Sequence, residues 1–321
     1  GISVNETQVL HKSMLFRSEN ENEMTKLIPC IGGKTKGALF NVGKTNINIT
    51  MEALVYTKAP QACYAIANTN KYSQLTLNFD RILVESGAAL TTPFMRIGEL
   101  NIHQSKFNNL TETIQIGSEY SVIDDIRNVV IQNSEFSGGD GILFSNFQHV
   151  TVSGCTFSNM KSISIIVEGV CAEITQNTFT NTKGFKGGAI YFLQTPVFPN
   201  VILDVNKNIF VNTQAIYGGA IYIRLTAIFP SWYFKMHNNE ISESKATYGG
   251  ALYFASGIPN LNDPALYNEN TMDNVVPSNF GSSINNITIQ GKNEFYKYPG
   301  EDIQMEGSLR DYFGNVIYPN H

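Results

Sequence analysis

Three stretches of this chain repeat at a spacing of 31 residues without a gap, and that register is the strongest constraint on how the chain folds. The stretches are Ile174-Thr-Gln-Asn177-Thr-Phe179-Thr-Asn181, Val205-Asn-Lys-Asn208-Ile-Phe210-Val-Asn212 and Met236-His-Asn-Asn239-Glu-Ile241. Each is followed by a glycine pair and an apolar run: Gly187-Gly188-Ala-Ile-Tyr-Phe, Gly218-Gly219-Ala-Ile-Tyr-Ile and Gly249-Gly250-Ala-Leu-Tyr-Phe. A fixed period of this length marks a solenoid, whose units cannot bury an apolar face alone and do so by stacking.

The same motif continues upstream with unequal spacing. Phe107, Phe136, Phe157 and Phe179 are 29, 21 and 22 residues apart, each a few residues after a short β-branched run. Constant strands joined by loops of variable length describe the coils of a parallel β-helix. In such a coil Ile174, Val205 and Met236 point inward at the ~4.8 Å spacing of paired strands. The phenylalanines stack down the interior, and Asn177, Asn208 and Asn239 form an amide ladder at a tight turn. The glycine pair permits a positive φ at the next corner. A helical solenoid is excluded, because no window holds a long stripe of period 3.6 free of Gly, Asn and β-branched residues. The expected fold is all-β, a right-handed parallel β-helix over residues 1–321 as one domain.

Less regular coils precede residue 100, with strands expected at Gly37-Ala-Leu-Phe, Asn46-Ile-Asn-Ile-Thr, Leu75-Thr-Leu-Asn-Phe and Arg81-Ile-Leu-Val. Residues 1–28 are expected to cap or edge the solenoid, with Glu6 to Phe16 either a short helix or a strand. Residues 255–282 read as a loop insertion, Asn293-Glu-Phe295 as a further copy, and 296–321 as a C-terminal cap.

Composition narrows the partners. Charged residues make up 15% of the chain against ~25% in ordinary soluble domains, and the net charge is −5. No basic stripe suggests nucleic acid. No run approaches the ~20 apolar residues that span a bilayer, and no signal peptide is read. Cys30, Cys63, Cys155 and Cys171 show no metal-type spacing and form either disulfides or buried free thiols. Sequons stand at Asn5, Asn48, Asn109 and Asn286, which permit secretion.

The glycine runs at Gly187–Ile190, Gly218–Ile221 and Gly249–Leu252, paired with the upstream Phe and Asn residues, resemble the repeats of polymorphic outer-membrane proteins. That family is defined by GGA[ILV] and FxxN tetrapeptides on a pectin-lyase-like β-helix. The second motif matches in part, because Asn181 and Asn212 follow the phenylalanine by two residues, not three. The resemblance covers about residues 100–255. It implies a β-helix and an association with surface display and adhesion, on a fold that also hosts sugar-cleaving enzymes.

The register itself nominates a polar face. If Ile174, Val205 and Met236 point in, then Glu173 and Thr175, Asp204 and Asn206, and Lys235 and His237 point out. Adjacent carboxylates at Glu173 and Asp204, with His237 nearby, would suit acid–base cleavage of a glycoside or cation binding; a solvated charged face is the bland alternative. Asp124-Asp125 suggests the paired acids of polygalacturonases, without the Gly-His-Gly and Arg-x-Lys that accompany them there. A second face carries Tyr191, Tyr222 and Tyr253 beside the proline-bearing loops of Phe198, Phe229 and Trp232. It is either a contact surface or a satellite core beneath the loops. No cofactor and no metal is expected. The expected function is an extracellular structural or adhesive protein that assembles with itself, or alternatively a polysaccharide-active or glycan-binding protein.

Overall fold

In the computed structural model the residues described are 2–4, 8–10, 14–17, 25–29, 38–42, 47–56, 64–68, 75–84, 89–91, 99–110, 114–116, 128–145, 149–168, 171–194, 202–225, 234–259, 261–265, 267–290 and 306–317. Among them every regular element is a strand. One coil shows how the sequence becomes structure. Strand Cys171–Thr175 turns into strand Thr178–Thr180, which turns into strand Ile190–Leu193. The next coil repeats this with Leu203–Asn206, Ile209–Val211 and Ile221–Arg224, and the third with Phe234–His237, Glu240–Ser242 and Leu252–Ser256. Every pairing between these coils is parallel, and the register is the 31-residue one: Ile174 opposite Val205 opposite Met236, and Phe179 opposite Phe210 opposite Ile241.

The coils build three long parallel sheets of eleven, ten and seven strands among the described residues. We call them, by what they carry, the phenylalanine, carboxylate and tyrosine sheets. A further four-stranded parallel sheet, Gln8–Leu10 to Ala89–Thr91, belongs to the N-terminal coils. The fold is therefore a right-handed parallel β-helix.

Each coil of the 31-residue repeat turns at three left-handed residues. The first precedes the buried ladder: Gln176, Lys207 and Asn238 have φ of 57°, 55° and 53°. The second follows the phenylalanine by two residues, at Asn181 and Asn212 with φ of 55° and 52°. Asparagine tolerates this conformation better than most residues, which explains the Phe-x-Asn spacing. At the third corner the two glycines do different jobs. Gly187, Gly218 and Gly249 adopt positive φ. Gly188 and Gly219 are needed for clearance, since a Cβ would lie 2.2 and 2.1 Å from the carbonyl oxygen of the next coil's glycine.

The interior follows from alternation along each strand. Phe107, Phe136, Phe157, Phe179 and Phe210 stack face to face at 4.8–4.9 Å, all fully buried. At the first corner Asn177, Asn208 and Asn239 are also buried. The Asn177 backbone N–H donates to Asn208 Oδ1 at 2.9 Å, and Asn208 N–H to Asn239 Oδ1 at 2.9 Å. Each side-chain Nδ2 returns a bond to a backbone carbonyl, as Asn208 does to Ile174 O at 2.7 Å. The same column upstream holds Ser105, Ser134 and Cys155, so smaller acceptors take the same place in the shorter coils.

One boundary expectation changes. Residues 255–282 are not a plain loop. They contain another coil, with Tyr267 opposite Met236, Met272 opposite Ile241 and Phe280 opposite Leu252. Asn270 extends the ladder by accepting from Asn239 N–H at 3.1 Å. For Glu6 to Phe16, where helix and strand stood open, the described residues are strands. Strands Ile2–Val4, Gln8–Leu10 and Met14–Arg17 join the sheets as a coil.

The described C-terminal residues form an antiparallel sheet of Ile284–Gln290, Glu306–Asp311 and Val316–Ile317. Its turn closes the end of the tyrosine sheet. Asp311 accepts from Ser282 N–H and Asn315 N–H, Asn315 Nδ2 donates to Phe280 O, and Phe313 stacks on Phe280 at 5.4 Å. Asn293 and Phe295 lie outside the described residues.

Candidate functional site

The outward face of the carboxylate sheet holds the densest set of titratable side chains among the described residues. Its register runs Thr151, Glu173, Asp204, Lys235 in one column. A second column runs Ser153, Thr175, Asn206, His237. His149 stands opposite Cys171 at the start of the same strands, and its Nε2 lies 3.6 Å from Glu173 Oε1. The side chains nominated from the repeat therefore do share one face.

The two carboxylates differ. Glu173 is well exposed. Asp204 is partly covered, and burial pushes its carboxyl above the ordinary carboxylate range; Lys235 and His237 pull it back, and Glu173 pushes it further up. Asp204 Oδ1 and its strand neighbour Asn206 Oδ1 are both shielded from solvent with no hydrogen-bond donor against them. A carboxyl raised by burial with a second carboxylate next to it is an arrangement that acid–base chemistry uses. Among the described residues no group of three His, Cys, Asp or Glu side chains stands where it could hold a metal ion.

A second network on this face escaped the sequence reading. His103 Nδ1 and Asp80 Oδ1 are 2.9 Å apart, Arg81 Nε donates to Asp80 Oδ2 at 3.1 Å, and Arg81 also donates to Glu52. Beside it Asn101 Nδ2 donates to Asn78 Oδ1 and Asn78 Nδ2 to Asn48 Oδ1, both at 2.8 Å. These residues come together because Glu52 pairs with Asp80 and Asp80 with His103 across three coils of unequal length. The unequal lengths hid them; aligning the alternating strands of residues 47–52, 75–80 and 99–103 would have found them.

On the tyrosine sheet Tyr191, Tyr222 and Tyr253 occupy outward positions between buried neighbours and stack at 5.2 and 5.7 Å. They are not a bare contact face. Tyr222 is 5% exposed and Tyr253 8%. Corner residues contribute to that cover: Tyr217 packs on Tyr253 at 5.0 Å, and the Lys186 ammonium lies 5.5 Å over the Tyr222 ring. Burial pushes the Tyr222 hydroxyl up to about 12. Phe185, packed edge-on against Tyr217, is the exposed aromatic of this corner. Tyr222 and Tyr253 are thus buried side chains of this face, and the loops of Phe198, Phe229 and Trp232 lie outside the described residues.

The remaining expectations divide. Phe198, Phe229, Trp232, Asp124, Asp125, Cys30, Cys63 and Asn5 lie outside the described residues. Cys155 is a free thiol buried in the corner ladder, and Cys171 is half-buried on the carboxylate face. Burial pushes the Cys155 thiol up to about 11. Asn48 and Asn109 are exposed, and Asn286 lies on the first strand of the C-terminal antiparallel sheet. No protein family, no curated protein and no solved structure matches this chain.

Proposed function

We propose that this protein is an extracellular structural or adhesive β-helix that assembles with itself into a surface fibre or coat. The observation that carries this reading is the continuity of the ladders. Stacked phenylalanines, buried asparagines and corner amides run coil after coil, so the chain is a stiff rod whose faces repeat at the strand spacing. Such a rod suits display and repeated contact better than enclosure of a small substrate. The GGA runs, similar to those of polymorphic outer-membrane proteins, agree with surface display.

The route of assembly is axial and lateral. Among the described residues, strands Ile2–Val4, Gln8–Leu10 and Met14–Arg17 stand at the ends of their sheets. Such edges template strand addition. The tyrosine sheet is plugged at its other end by the Asp311 turn, so an axial contact there uses the neighbouring sheets, whose last strands Tyr267–Asn268 and Thr271–Asp273 are short. Lateral contact would use the loops of Phe198, Phe229 and Trp232. Sedimentation velocity at micromolar concentration tests this by comparing the intact chain, a chain lacking residues 1–8 and a Phe229→Ser/Trp232→Ser variant. The intact chain is expected to sediment as a larger species and each variant more slowly. A strictly monomeric intact chain contradicts the reading.

A second reading has its own support. Asp204, with its raised carboxyl and unpaired Oδ1 beside Glu173, suits a glycan-binding or glycan-cleaving face. Screening pectins, alginates and chitin-like glycans separates the two. Turnover abolished in Glu173→Gln or Asp204→Asn makes the protein an enzyme; absence of turnover on all of them leaves the structural reading in place.

A further inference from the structure

We infer that Asn109 is a site of N-linked glycosylation, an inference that rests on the extracellular reading above. Four sequons occur in the chain, and sequence does not rank them. Geometry separates the two whose side chains are described.

Asn48 is tied into the face of its sheet. Its Oδ1 accepts from Asn78 Nδ2 at 2.8 Å and lies 3.5 Å from the hydroxyl of Thr50, the residue that completes its own sequon. It belongs to a three-amide row that continues through Asn78 to Asn101. A sugar on its nitrogen would have to share that crowded row.

Asn109 stands differently. It occupies a left-handed corner position, with φ of 46°, and is exposed. In the later coils this corner column is an amide ladder: Asn181 Nδ2 donates to Asn159 Oδ1 at 3.2 Å, and Asn212 Nδ2 to Asn181 Oδ1 at 2.7 Å. Asn109 is outside that ladder because its successor in the column is Gly138. The Asn109 carboxamide oxygen lies over Gly138, where a Cβ would come within 2.1 Å of it, while Nδ2 would stay 3.7 Å away. The oxygen is thus turned onto the next coil and the nitrogen away from it. Asn109 lies within strand Lys106–Leu110, between Asn108 and Leu110, which pair with Ser137 and Gly139; its side chain is exposed, so a bulky substituent on it displaces no core side chain.

The chemistry is a transfer to nitrogen. A lipid-diphosphate-linked oligosaccharide is the donor. The bond from its anomeric carbon to the phosphate oxygen breaks, the bond from that carbon to Asn109 Nδ2 forms, the lipid diphosphate leaves, and Nδ2 gives up one proton. Thr111 completes the sequon.

The full chain, expressed behind a secretory leader in a eukaryotic host, is the test, with peptide mass spectrometry before and after peptide-N-glycosidase. Asn109 is expected to carry a glycan that the enzyme removes, leaving aspartate. Thr111→Ala, which keeps Asn109 and its corner, is expected to abolish the modification, and Thr111→Ser to retain it. A secreted, folded chain whose Asn109 peptide is unmodified overturns the inference, as does modification confined to Asn48. Either result leaves the assembly reading intact, since that is decided by the sedimentation of the unglycosylated chain.

Discussion

At the residue scale the buried asparagine ladder is the most demanding feature. A polar amide with no access to water is tolerated only when its donors and acceptors are matched. Asn208 meets this by accepting from Asn177 N–H and donating to both Ile174 O and Asn239 Oδ1. Asn208→Ala leaves an N–H and a carbonyl unpaired in the core. The expected loss is about 2–4 kcal/mol, since a stranded buried group costs about 1–3 kcal/mol; urea denaturation of the variant measures it. Asp204 makes the opposite prediction. Its carboxyl is raised in the folded state by burial, so folding binds a proton more tightly than the unfolded chain does. The stability this contributes is complete below the unfolded carboxylate pKa and is lost as pH rises through the folded one. Asp204→Asn is therefore expected to melt slightly above the parent at pH 7, with the difference vanishing as pH falls below about 4. The half-exposed position keeps the gain to about 0.5 kcal/mol or less. Thermal melts across that range check the sign.

At the scale of the element, short strands gain their stability from their neighbours. Strand Ile209–Val211 has three residues and buries one ring, Phe210, between Phe179 above and Ile241 below. Phe210→Ala opens a cavity between two coils and is expected to cost about 3–5 kcal/mol, again read from denaturant midpoints. The coils were legible in sequence where each feature recurred together. The Phe-x-Asn pairs and glycine pairs of residues 174–254 fixed strand, face and register, and the structure has Ile174, Phe179 and Ile190 where the spacing put them. The next coil was missed, although Asn270 falls 31 residues after Asn239. Met272 takes the phenylalanine position, and the corner that held Gly-Gly-Ala runs through Pro277, Ser278 and Asn279. The register persists while its most recognisable residues do not. The polar face was half legible for the same reason. Glu173, Asp204 and His237 follow from equal coils, whereas the Glu52, Arg81, Asp80 and His103 network depends on coils whose lengths differ. Tyr217 and Lys186, which contribute to the cover over Tyr253 and Tyr222, sit on a corner that keeps the 31-residue register but has no apolar alternation to mark it as packed.

At the scale of the whole molecule, stacked coils make a rod, and its ends differ. Eleven strands of the phenylalanine sheet at ~4.8 Å per step span roughly 50 Å along the axis. Among the described residues the sheets start at strands Ile2–Val4, Gln8–Leu10 and Met14–Arg17, and the last coil is covered by the antiparallel sheet, whose Phe313 packs on Phe254 and Phe280. Polarity of this kind favours head-to-tail addition, and a head-to-tail contact that does not close into a ring grows into a filament. Electron microscopy of the purified chain at micromolar concentration tests the central claim most directly. The account predicts filaments one rod wide or ordered coats of them; a uniform field of single short rods would contradict it.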